Sequence, residues 1–169
     1  MNDRQRHLLA TLDHAFRGVE LGSGVSLHET QVLDDHGTAE QRRAARARDE
    51  TQDWRNLLFD PDLPFVCGVT GGLSFFDAAG MRFHLPACLS LLIKDPEAPR
   101  VGDMEQSLLF HLTDLDDYNR ERFALLDDAQ RRCVREVLEY LRDTLGMRET
   151  LPPELEEAIS GYWSQEPAR

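Results

Sequence analysis

A chain of 169 residues, 41% of them hydrophobic, sets 31 acidic against 19 basic side chains for a formal charge of -12. This length suits one domain that buries its core without disulfides or a structural metal, and the composition excludes wholesale disorder. The negative field excludes a non-specific nucleic-acid binder and docking on an anionic membrane, and it suits a basic protein partner or a divalent cation.

Leu8, Leu9, Leu12, Ala15, Phe16 and Val19 recur at helical spacing, which predicts an amphipathic helix from about Arg4 to Arg17. Three glycines between Gly18 and Gly24 mark a loop. Ser26 to Glu29 has capping-box form and is expected to open a short helix toward Leu33, closed by the turn Asp34-Asp35-His36-Gly37. Thr38 to Gln41 forms a second box. It starts a helix whose apolar stripe is Ala44, Ala47, Thr51, Trp54 and Leu58, until Asp60-Pro61 and Leu63-Pro64 stop it. On that helix Asp49 and Asp53 would share a face at i, i+4.

The centre reads differently. Leu73-Ser-Phe-Phe-Asp77 and Met81-Arg-Phe-His-Leu85 flank Asp77-Ala-Ala-Gly80, whose first and last residues are those of a type I turn. Aromatic runs on both sides predict a β-hairpin. Pro86 then suits the first turn of a helix from Ala87 to Lys94, apolar almost all round. Asp95 to Gly102 reads as a connecting loop. Met104, Leu108, Leu112 and Leu115 line the face of a helix opened by Asp103. The clearest element begins at Asp127, with Cys133, Val137, Leu141 and Leu145 in a wide stripe and Gly146 at the C-terminus. A last short helix runs from Glu154 to Trp163. The expected fold class is therefore α+β: one helix-rich domain over residues 1–150 with a central aromatic β-hairpin, then a short C-terminal helix and tail over 151–169.

The run Phe76-Asp77-Ala-Ala-Gly80-Met-Arg82-Phe-His-Leu85-Pro86-Ala87, together with Asp49…Trp54 before it and Phe123…Gln130 after it, resembles a bacterial family known only as a domain of unknown function. The resemblance extends from about Phe16 to Leu141. It implies a single helix-rich fold and carries no activity, ligand or catalytic residue with it.

Two constellations have the residue types for chemistry. Asp34, Asp35 and His36 form an acidic turn, His28 lies one short helix upstream, and Asp49 and Asp53 follow; carboxylates with imidazoles suit a transition metal. A structural role competes, because turns and caps use Asp34 and Asp35 while neighbouring arginines pair with Asp49 and Asp53. At the hairpin, Asp77 could orient a substrate, Arg82 could clamp a carboxylate or phosphate, and His84 could act as a general acid or base. Against this, Arg82 could simply pair with Asp77 or stack on Phe75, and His84 and His111 could be packing residues. Cys67, Cys88 and Cys133 form no CxxC pair, Gly71-Gly72 lacks the rest of a P-loop, and Ser23 lacks a nucleophile elbow.

No histidine pair falls two to five residues apart on one helix, so no metal ligand set is assigned and no cofactor is expected. The binding candidates are Asp49, Asp53, Asp77, Arg82 and His84. The N-terminus leads into no long apolar stretch, and a cytoplasmic location is the expectation. Charge and size favour a protein-binding module that neutralises or regulates a basic protein partner, in the manner of antitoxins and immunity proteins, without nucleic acid or membrane; the sequence leaves the oligomeric state open. The alternative is a metal-assisted hydrolase using the Asp34–Asp53 carboxylates with His28 and His36.

Overall fold

A computed structural model describes residues 1–94, 101–145 and 151–165. Among them every regular element is helical. The chain begins with α1 (Asp3–Ala15), opened by a capping box between Asn2 and Gln5, then α2 (Glu29–Asp34) and α3 (Ala39–Arg46). A 3-10 turn (Trp54–Phe59), α4 (Leu63–Cys67) and a second 3-10 turn (Gly72–Phe75) lead into α5 (Ala78–Lys94). After it come α6 (Gly102–Thr113), α7 (Asp117–Arg122), α8 (Asp128–Leu145), α9 (Leu155–Ser160) and a closing 3-10 turn (Tyr162–Ser164).

The α+β expectation is overturned: no strand occurs among the described residues, and the central hairpin is a helix. Asp77 is the cause. Its carboxylate accepts the Gly80 amide at 2.7 Å, and the Met81 amide reaches the Asp77 carbonyl at 2.8 Å, so the four-residue "turn" is the first turn of α5. Pro86 lies inside that helix rather than at the start of another. Its missing N–H and its ring are tolerated because all residues from Phe83 to Ile93 are buried and packing outweighs local propensity. The alternation Met-Arg-Phe-His-Leu mimics a strand only because α5 has almost no polar face to display a helical period.

Against this buried axis pack α1, the Trp54–Phe59 turn, α7 and α8, and also α4 and α6. The α8 stripe of Cys133, Val134, Val137, Leu138 and Leu141 is fully buried, as its periodicity predicts. The indole of Trp54 is buried and donates to the Phe16 carbonyl at 3.0 Å, tying the 3-10 turn to the end of α1. At the other end Trp163 donates to the Leu112 carbonyl at 2.8 Å, and with Leu155, Ala158 and Ile159 it joins the same core.

A second correction concerns α3. Thr38 and Gln41 do form the reciprocal cap, but the helix ends at Arg46, so Asp49 and Asp53 sit in a loop and at the cap of a 3-10 turn. The α2 N-cap is His28 rather than Ser26, although the Ser26 amide still donates to the Glu29 carboxylate at 2.9 Å. The Asp95–Arg100 part of the expected loop and the Gly146 terminus lie outside the described residues.

Candidate functional site

The sequence candidates separate into three places. The first surrounds His28. Its Nδ1 lies 2.6 Å from Asp49, whose second oxygen accepts the His28 amide at 2.9 Å, while Nε2 lies 3.2 Å from Asp62. Asp49 is buried by these contacts, its side chain 2% exposed. Burial opposes charge on His28, but the hydrogen bond and charge of Asp49, then the contact with Asp62, outweigh it and hold the imidazole above its ordinary pKa. One step on, Glu29 is buried between the Ser26 amide and Arg46, which reaches it at 3.1 Å. Burial raises its pKa, yet these donors bring it below the usual carboxylate value.

This cluster ties three segments together: α2, the loop after α3 and the start of α4. It does not bring in the rest of the expected cation site. His36 stands at the opposite end of α2 from His28, in a left-handed conformation (φ 53°), and Asp35 caps that helix. Asp53 caps the 3-10 turn and pairs with Arg55, which also binds Asp13 at 2.6 Å. Both nitrogens of His28 already face carboxylates. Among the described residues no three His, Cys, Asp or Glu side chains are placed to hold a metal ion.

The second place is the start of α5. Asp77 accepts the amides of Val25 and Gly80 at 3.0 and 2.7 Å, so its Oδ1 is committed to the cap and to the loop that crosses it. That crossing is tight. A Cβ at Gly24 would lie 2.6 Å from the Gly80 nitrogen, and one at Gly80 would lie 2.6 Å from the Val25 carbonyl. Arg82 turns away from Asp77. It donates to Gln130 at 3.0 Å and lies 3.9 Å from Asp127, and Gln130 in turn donates to the Ala15 carbonyl at 3.1 Å. His84 is fully buried, stacked on Phe76 at 4.1 Å between ring centres, with Nδ1 2.8 Å from the Gly80 carbonyl. Burial pushes its pKa down to about 4. Asp77 and His84 thus both hold Gly80, through its amide and its carbonyl, while Arg82 works on Gln130 and Asp127.

A third arrangement had only His111 as a signal in the sequence. His111 Nε2 lies 3.3 Å from Ser74 Oγ and Nδ1 lies 3.1 Å from Asn119 Oδ1, the outline of a nucleophile, a base and an orienting group. Arg122 inverts it. Its Nη2 is 2.8 Å from His111 Nδ1, the nitrogen that also faces Asn119 Oδ1, so a buried cation stands where a catalytic base has its orienting acceptor. Burial, then the charge of Arg122, also push His111 down to about 4. Arg122 is itself buried, donating to Leu73 and Asn119 while lying 4.6 Å over the Tyr118 ring. The network joins the Gly72–Phe75 turn, α6 and α7, and it is not a charge-transfer chain.

The thiols offer no nucleophile. Cys67 and Cys88 are fully buried, and the hydrogen bond between them, with burial, raises Cys67 well above its ordinary pKa; burial also pushes Cys133 up to about 12.

The family model described as "Family of unknown function (DUF6714)" matches residues 4–167, and the chain belongs to that family. No curated protein and no solved structure matches it.

Proposed function

We propose that this member of the family is an acidic protein-binding module that neutralises or regulates a basic protein partner, as antitoxins and immunity proteins do. The observation that carries the reading is how the ionisable groups are spent. Asp49, Glu29, Asp77, Arg82, His84 and His111 are all engaged in holding segments together. What remains for the outside is a surplus of carboxylates behind a net charge of -12. Such a field accelerates encounter with a positively charged partner and repels nucleic acid and anionic lipid. Among the described residues no helix is long and apolar enough to cross a membrane. A bacterial source, as the resemblance implies, and a cytoplasmic setting complete the reading; an arginine-rich, lysine-poor basic set with Lys94 alone fits a genome of high GC content.

The metal-hydrolase alternative gains nothing from the geometry of His28 and His36, which stand at opposite ends of α2. The test is affinity capture at low salt from the source organism, followed by titration of the purified captured protein. A basic partner whose affinity falls about tenfold or more between 50 and 300 mM salt supports the reading. A partner with no basic surface, or binding indifferent to salt, contradicts it.

A further inference from the structure

The acidic surface is not uniform, and one part of it has the shape of a docking site. Two adjoining cavities of about 560 and 470 Å³ share Thr113, Asp114 and Glu154, forming one open groove between the end of α6, the segment leading to α7, and α9. Its apolar part is made by Leu109, Phe110, Pro152 and Tyr162. Phe110 is 54% exposed although its neighbours Leu109 and His111 are buried, so α6 presents an aromatic ring to solvent at this point.

Four carboxylates stand along the groove: Asp114, Asp116, Glu154 and Glu157. The side chain of Asp116 accepts the Asn119 amide at 2.8 Å as the cap of α7. Those of Asp114, Glu154 and Glu157 make no ion pair or hydrogen bond among the described residues. Among the described residues one cation lines the same surface. Arg120 donates to the Leu115 carbonyl at 2.6 Å and leans over Tyr162, so it neutralises none of the four at salt-bridge distance.

Resting on the reading of the protein as a binder of basic partners, we infer that this groove is the docking surface. Its occupant is a cationic segment of another protein, with an apolar side chain against Phe110 and Leu109 and lysines or arginines against Asp114, Glu154 and Glu157. Charge complementarity selects the occupant. A neutral or acidic chain would leave the carboxylates facing one another across a drier groove, whereas a cationic one neutralises them as it excludes water. A free polyamine would satisfy the charge but leave the apolar floor uncovered. The exposed Phe59 (85% exposed) stands beside Asp49, Glu50 and Asp60, but Asp49 is held by His28, Glu50 accepts the amides of Gln52 and Asp53, and Asp60 accepts the Asp62 amide.

The probe is a fluorescein-labelled synthetic peptide of alternating lysine and leucine, titrated with the full chain and followed by anisotropy. Spermine and an all-lysine peptide serve as comparisons. The variants are Glu154→Lys/Glu157→Lys, Phe110→Ser, and Asp60→Lys/Asp62→Lys as a reversal of equal charge elsewhere, each compared with wild type by melting.

The expected result is binding of the lysine–leucine peptide that weakens about tenfold or more with Glu154→Lys/Glu157→Lys and severalfold with Phe110→Ser, with little change for Asp60→Lys/Asp62→Lys. Equal weakening by both charge reversals, or loss only with Asp60→Lys/Asp62→Lys, overturns the groove assignment and leaves the basic-partner reading in place. Failure of any cationic peptide to bind at low salt sinks both. Sedimentation showing a dimer dissolved by Phe110→Ser would give the groove to a second copy of the chain and also overturn the proposal.

Discussion

The loop cluster around His28 and the groove between α6 and α9 are both rich in carboxylates, and they use them in opposite ways. At His28, Asp49 is buried between a backbone amide and an imidazole, and Glu29 beside it is held by Arg46. At the groove, Asp114, Glu154 and Glu157 lie in water with no partner among the described residues. A carboxylate wrapped by donors contributes to the fold, and its loss leaves buried donors unpaired. An open carboxylate contributes almost nothing to the fold and sets the potential that an approaching molecule meets. Residue type alone does not distinguish the two. Position does.

The largest effect sets the scale for both regions and lies in neither. Val137→Asp on α8 should cost about 4 kcal/mol or more, because the site is fully buried with nothing to pair the charge. Wild-type melting of that variant would refute the described core.

Next in size is the response to acid. His84 and His111 titrate near 4 when folded and near 6.5 when unfolded, so the unfolded chain takes up their protons first. Their contribution is complete above pH 6.5 and is lost as the pH falls from 6.5 toward 4, about 3 kcal/mol for the fully buried His84. His28 has the opposite sign. Its folded pKa is raised, so its contribution is complete below 6.5 and disappears as the pH rises through the folded value. Melting temperature against pH, for wild type and His84→Leu, checks this. The variant should flatten the acid limb, and an unchanged limb would contradict the assignment.

Asp49→Ala should cost about 2–3 kcal/mol at pH 6, since it strips both the amide and the ring of His28 of their acceptor. It should also shrink the alkaline decline due to His28 to the part that Asp62 sustains, which denaturant titrations at pH 6 and 8 would show. The smallest effect is the sharpest contrast. Glu154→Gln/Glu157→Gln should shift stability by no more than about 0.5 kcal/mol, measured in the same titrations. A loss as large as that of Asp49→Ala would mean that the groove carboxylates are structural too.

Much of the helical frame was legible in the sequence. The α1 and α8 stripes have a strong 3.6-residue period because one face of each meets solvent, and Thr38 with Gln41 announces the start of α3 by local chemistry alone. The failure at α5 has the converse cause: a helix buried on all sides shows no period, and Asp77 with Gly80 serves a helix cap as well as a turn. The sequence spacing places Asp49 and Asp53 on one helix because apolar residues of the following loop and 3-10 turn continue the α3 period by chance. Of the sites, His28 and Asp49 were legible as residue types, but their pairing is made by the return of the chain after α3, which local sequence does not encode. The groove was invisible for the same reason, since Asp114 and Glu154 come from segments on either side of α8.

The claim that open carboxylates make one surface of this protein functional is tested most directly by mapping where a cationic peptide lands. Backbone amide spectra of isotope-labelled protein, recorded during titration with the lysine–leucine peptide, give that map residue by residue. The account predicts the largest shifts at Phe110, Asp114, Glu154 and Glu157, fading as salt is raised, with His28 and Asp49 unmoved. Shifts centred on Asp49 to Asp62, or spread evenly over the acidic surface, would contradict it.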